Sequence, residues 1–213
     1  MSRLLLLDLD NTLADREAGV RVWAGAAAAI WAPNDDDAAA WLIEEDRDGF
    51  RSRTDLFTAV KGRFALIEPV NDLVAEFRRS LRGVLPPIDP EVVRRLGELR
   101  GAGWKLGVVT NGEAAGQTAK LERLGVFELV DACCISGELG IRKPDPRIFE
   151  IAAQRCGAAL ENAWMIGDSP ADIEGARNAG IRSIWLSRGR SWEDRGYAPD
   201  RVADSLVDAL DLI

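Results

Sequence analysis

Four consecutive leucines, Leu4 to Leu7, run directly into Asp8-Leu9-Asp10. A continuous apolar run reads as a strand covered on both faces, which places it inside a parallel sheet. A carboxylate at the end of such a strand is costly to bury unless something binds it. The opening of the chain therefore constrains the fold twice: it calls for a buried central strand, and for a counter-charge gathered at that strand's end.

Four more short apolar runs follow: WKLGVVT (104–110), VDACCI (130–135), NAWMIG (162–167) and RSIWLS (182–187). Between them lie segments with helical spacing, at 90–103, 114–126, 145–157 and 170–180, several ending in Gly. Glycine is a natural helix stop. Strands alternating with helices of this length predict βα units and a parallel sheet. The first strand breaks the alternation, because residues 14–85 carry no convincing strand and pattern as helices. PNDDD (33–37) reads as a helix break with a solvated acidic N-cap, and LPPIDP (85–90) as a boundary. The expected architecture is an α/β, Rossmann-like, doubly wound parallel-sheet core formed by residues 1–13 and 86–213. An all-helical cap over 14–85 is inserted after strand one. Trp23, Trp31 and Trp41 sit at helix-compatible positions in the insertion, where packing between helices is their default role.

Composition narrows the function. With 213 residues, 47% of them apolar, the chain is long enough for a substantial core. The net charge of −8 argues against a nucleic-acid surface. No apolar run reaches membrane-spanning length, and no basic segment precedes a signal-like apolar stretch, so the expected location is the cytoplasm, with no membrane partner. Histidine is absent, which removes Ser-His-Asp triads, Cys-His pairs and the commonest zinc ligand. The three cysteines, Cys133, Cys134 and Cys156, form neither a disulfide framework nor a CxxC site and are expected in the core. Chemistry falls to carboxylates, lysine, hydroxyls and backbone amides.

Those groups collect at strand ends. Strand one ends in Asp8-Leu9-Asp10-Asn11-Thr12, the second in Thr110-Asn111-Gly112, and the fourth in Gly167-Asp168-Ser169-Pro170-Ala171-Asp172; Lys143 lies in GIRKPDP. Open parallel sheets bind ligands outside the carboxyl ends of their strands. Taken as one pocket, Asp8, Asp10 and Asp168 repel one another and need a cation. Oxygen-only ligation suits Mg²⁺. Lys143 adds positive charge, while Thr110, Asn111 and turn amides add donors. Positive charge and donors around a carboxylate nucleophile are what phosphoryl transfer to that carboxylate requires. Asn11 is compatible with an unusual backbone conformation. Arg16, just after the first cluster, is positioned to reach a substrate anion, whereas Arg47, Arg51, Arg53 and Arg63 read as solvated.

DLDNTLAD, VTNG, RKPDP and GDSPAD, in this order, resemble the four motifs of the haloacid dehalogenase-like hydrolase superfamily. The resemblance covers the whole core; the insertion matches the superfamily's small helical (C1-type) cap by position and character. It implies that Asp8 is the nucleophile and Asp10 the general acid and then base. Thr110 and Lys143 would bind the phosphoryl oxygens, Asn111 beside them. Mg²⁺ would be held by Asp8, Asp168 and the carbonyl of Asp10, with Asp172 holding Lys143 or a metal-bound water. The superfamily's dehalogenases lack the second acid of the first motif, so Asp10 favours phosphate chemistry on a small phosphorylated metabolite. The cap would close over the pocket and set substrate choice. Two rivals follow: a phosphomutase of the same fold, disfavoured because its sugar-phosphate members resemble a pattern with a cap histidine, and a non-catalytic phospho-ligand-binding or regulatory protein.

Overall fold

The structure, a computed structural model, describes residues 3–213. It divides into two compact units, Met1–Ala14 with Pro87–Ile213, and Asp15–Pro86.

The larger unit is built on a six-stranded, all-parallel sheet in the order β3-β2-β1-β4-β5-β6. Its strands are β1 (Leu4–Leu7), β2 (Lys105–Thr110), β3 (Ala132–Ile135), β4 (Trp164–Gly167), β5 (Arg182–Leu186) and β6 (Arg201–Ala203). The leucine run is central, pairing with β2 on one side, Leu4 opposite Lys105, and with β4 on the other, Leu5 opposite Trp164. All four leucines are fully buried. Because side chains alternate along a strand, Leu5 and Leu7 enter one core layer with Val92, Leu96 and Val108. Leu4 and Leu6 enter the opposite layer with Phe149, Ala152 and Met165. That two-sided burial is why the run shows no polar alternation.

From β1 the chain builds outward through β2 and β3, then crosses to β4 and builds the other way. The carboxyl ends of β1 and β4 therefore flank the topological switch point, the place where open α/β sheets form their crevice. Asp8 and Asp168 stand immediately beyond those two ends.

The four expected internal strands and the first one all form, each within a residue or two of its predicted limits. The helix expected over 114–126 breaks in two, because Gly125 takes a left-handed conformation, φ 66°. The edge strand β6 and the short helix after it, Leu206–Leu210, were not legible in the sequence. β6 has three residues, of which Arg201 and Val202 are exposed, so no apolar run marks it. It is tied to β5 by flanking acids: Asp200 accepts from the Ser183 N–H at 2.8 Å, and Ser187 donates to Asp204. Cys134 and Cys156 are buried and Cys133 half-buried, all as free thiols. Burial, its neighbours Cys134 and Cys156 adding, pushes the Cys133 thiol up to about 12, which keeps it inert.

The smaller unit contains four α-helices: α1 (Arg16–Trp31), α2 (Ala38–Asp46), α3 (Arg53–Arg63) and α4 (Val70–Val84). Asp15 caps α1, accepting from the Ala18 N–H, and Ser52 caps α3, accepting from the Asp55 N–H. Asp37 stands at the N-terminus of α2 without capping it; Asp35 instead accepts from the Asp37 N–H and pairs with Arg63. Trp23 is the centre of an aromatic cluster, 4.6 Å from the Phe77 ring and about 6 Å from Phe57 and Trp31. Trp41 packs edge-on against Phe64. No described helix is long and apolar enough to cross a membrane.

Candidate active site

The site is built from the loops that follow β1, β2 and β4, together with the loop carrying Lys143. In the first, Asp8 still bonds the sheet, its N–H donating to the Ile166 carbonyl at 2.9 Å. The chain then turns sharply. Asn11 takes φ 60°, a conformation asparagine adopts more readily than most residues, and the Ala14 N–H closes back on the Leu9 carbonyl. Two arginines from the loop after β5 clip this region: Arg188 donates to the Asn11 carbonyl, and Arg190 to the carbonyl and carboxylate of Asp168.

Lys143 is buried, 3% exposed. Its Nζ lies 2.6 Å from Asp8 Oδ1, 2.6 Å from Asp172 Oδ1 and 2.7 Å from the Val109 carbonyl. The approach to Asp172 is an ion pair whose angle falls outside that of a directional hydrogen bond. Burial alone would discharge this ammonium, but Asp172 and Asp8 outweigh it and hold its pKa above the ordinary lysine value. Asp8 moves the other way from most paired acids. Burial, with Asp172 and Asp168 nearby, pushes its carboxyl well above the usual range against the pull of Lys143.

Asp172 is placed by its helix, Pro170–Asn178. As the third residue it reaches back to the N–H and hydroxyl of Ser169, at 3.0 and 2.7 Å, closing a capping box. Gly167 makes room for it: a Cβ there would sit 2.3 Å from Asp172 Cγ. We expect Gly167→Ala to lower stability by about 1–3 kcal/mol through overpacking, and to impair turnover with it. Thermal melts beside steady-state rates measure both.

Carboxylate oxygens of Asp8, Asp168 and Asp172 lie within 4.8 Å of one another, all three buried. Three carboxyl groups crowd one buried place; Lys143 lies between two of them and Arg190 meets the third, so the acids outnumber their cations, and a bound cation would offset the surplus and favour the ionised form of Asp8. The donors are hard oxygens only, which fits Mg²⁺. The carboxylate of Asp10 is not in this cluster; the ligand expected from Asp10 is its carbonyl.

Other expected residues stand differently from how they read in sequence. The side chain of Asn111 is engaged with the main chain of Lys143, donating to its carbonyl at 3.0 Å and accepting from its N–H at 2.9 Å. The Asn111 amide thus joins the loop after β2 to the main chain of Lys143. Arg16 meets a carboxylate of the protein: its Nη1 and Nη2 each donate to Asp46 at 2.6 Å, inside the smaller unit. Arg53 joins them at 2.6 Å and is half-buried rather than solvated. Thr110 is buried and accepts from the Gln117 amide at 2.6 Å. Gln117 also donates to Asp10 at 3.1 Å, and Lys120 donates to both oxygens of Asp10 at 2.6 and 2.7 Å. Sequence reasoning missed Gln117 and Lys120. Their spacing three apart on a helix that follows the second motif was the one available signal.

A family model for haloacid dehalogenase-like hydrolases matches residues 3–180. The chain belongs to the haloacid dehalogenase-like hydrolase family. Among relatives of this hydrolase, a phosphoserine phosphatase of Thermus thermophilus is 38% identical over 200 residues, spanning 89% of this chain and 77% of its own. A glyceraldehyde 3-phosphate phosphatase of Methanopyrus kandleri is 40% identical over 120 residues, 56% of this chain and about half (52%) of its own. The pyrimidine 5′-nucleotidase YjjG of Escherichia coli is 33% identical over 149 residues, 69% and 65% of the two chains. In fold, the hydrolase is similar to YfnB of Bacillus subtilis, solved with magnesium bound, at a TM-score of 0.79 and 22% identity over 99% of this chain and 98% of that one.

Proposed function

We propose that this hydrolase is a Mg²⁺-dependent phosphatase of small phosphorylated metabolites, working through an aspartyl-phosphate on Asp8. The observation that carries the reading is Lys143, held at 2.6 Å from both Asp8 and Asp172 beside Asp168. A nucleophilic carboxylate must meet a phosphate dianion, and only concentrated positive charge makes that encounter tolerable. Relatives named as a phosphoserine phosphatase, a glyceraldehyde 3-phosphate phosphatase and a pyrimidine 5′-nucleotidase support the same chemistry.

In the first step an Asp8 oxygen attacks phosphorus, the bond from phosphorus to the ester oxygen breaks, and Asp10 gives that oxygen its proton. In the second, water attacks the phosphoryl group as Asp10 takes a proton back; phosphate leaves and the Asp8 carboxylate returns. Lys143 stays charged throughout, orienting Asp8 and neutralising the phosphoryl oxygens, while Thr110 offers its hydroxyl to them. Mg²⁺, held by Asp8, Asp168 and the Asp10 carbonyl, would supply Lewis-acid charge stabilisation when bound.

The test is phosphate release from a panel of phosphomonoesters with Mg²⁺ and after chelation. Turnover restored by Mg²⁺, with an acid-stable, hydroxylamine-labile phosphoenzyme, is the expected result. Ligand binding without turnover across the panel would favour the non-catalytic reading, and metal-independent turnover would remove Mg²⁺ from the proposal.

A further inference from the structure

The helix Ala114–Arg123 presents Gln117 and Lys120 on one face, three residues apart, next to Leu121, which is fully buried in the core. Leu121 pins that face against the sheet. Gln117 then joins the end of β2 to the turn after β1: its amide donates to Thr110 Oγ1 at 2.6 Å and to Asp10 Oδ2 at 3.1 Å. Lys120 straddles the same carboxylate, 2.6 and 2.7 Å from its two oxygens. A Cβ at Gly112 would come within 2.7 Å of Gln117 Cγ, so the glycine of the second motif leaves the passage through which Gln117 reaches inward.

We infer that Lys120 and Gln117 are positioning residues, which hold the Asp10 carboxylate aimed at the ester oxygen and tie its placement to that of Thr110. The inference rests on the phosphatase reading and deepens it. An exposed lysine–carboxylate pair would carry little weight. This one differs because the lysine side chain is only 15% exposed, it meets both carboxylate oxygens, and the same helix face also bonds Thr110. Asp10 lies just beyond β1, in the turn closed by its bridge to Ala14. The helix adds two side-chain anchors to the carboxylate itself, and a displacement of an ångström at an acid–base group costs up to about 100-fold in rate.

Leaving groups separate positioning from general support. A p-nitrophenolate departs with little help from an acid, whereas an alkoxide needs the proton. Lys120→Met and Gln117→Met should therefore lower kcat/KM about 10- to 100-fold for an alkyl phosphate and much less for p-nitrophenyl phosphate. Lys120→Arg, which keeps a cation for both oxygens, should recover most of the loss. Equal losses on the two substrates, or none, would overturn the inference. Crystal structures of the Met variants read Asp10 directly, whether or not turnover is found: its carboxylate should swing from the wild-type position, and an unmoved Asp10 would overturn the inference by itself. Wild-type protein inactive on both esters would count against the phosphatase reading alone, since the displacement of Asp10 is still measured.

Discussion

Replacing Asp8 by asparagine is expected to lower turnover by at least about 10³-fold, since removal of a nucleophile eliminates the covalent route. The same change should leave the fold intact, and stability should stay level or rise. Asp8 is buried beside two further carboxylates, and its charge is disfavoured there despite Lys143. Asparagine preserves shape and a hydrogen-bond acceptor for Lys143 while removing one of three crowded negative charges. Activity and stability therefore move in opposite directions, which a general packing defect would not produce. Steady-state rates, phosphoenzyme trapping and a thermal melt of the metal-free protein together check the expectation. An asparagine variant that still turns over and still accumulates phosphoenzyme would unseat Asp8 as nucleophile.

The second large effect belongs to the smaller unit. Asp46, 1% exposed, takes three hydrogen bonds of 2.6 Å, two from Arg16 and one from Arg53. Breaking a buried pair by deleting one partner leaves the other charge without compensation, at a cost of about 3–5 kcal/mol. Asp46→Asn should therefore lower stability by that order, seen as a lower denaturant midpoint at neutral pH. Burial works to raise the Asp46 carboxyl, but Arg16 and Arg53 outweigh it and hold it below the ordinary range. A carboxyl depressed in the folded state adds stability that is present above its unfolded value, about 3.9. That stability is lost as pH falls through the folded value. The gap between wild type and Asp46→Asn should thus be full near neutrality and close at strongly acid pH. A gap that persists unchanged in acid would show that the ion pair is not its source.

The sheet was legible because its signals are local. Leu4 to Leu7 are covered on both faces, and a run without polar alternation records that directly. Helices betray themselves by spacing and by glycine stops. The acids at the ends of β1 and β4 were equally visible, since a carboxylate after a buried strand is anomalous by itself. β6 escaped notice because an exposed three-residue edge strand is held by Asp200 and Asp204 rather than by an apolar pattern.

Partner choice is where local signals stop. Asn111 sits in a motif beside Thr110, yet its amide turns to the Lys143 main chain, 32 residues further on. Arg16 follows the first motif in sequence, yet its guanidinium meets Asp46, 30 residues further on. The spacing of Gln117 and Lys120 marks only a shared helix face; the docking of that helix beside Asp10 is what gives the pair its partner. The alternation of strands and helices as far as β5, the two-sided core and the presence of carboxylates after β1 and β4 follow from the sequence, because burial and periodicity are written residue by residue. Which cation or amide meets which carboxylate was decided by tertiary structure alone, because hydrogen bonds form at separations near 3 Å, set by how distant segments pack.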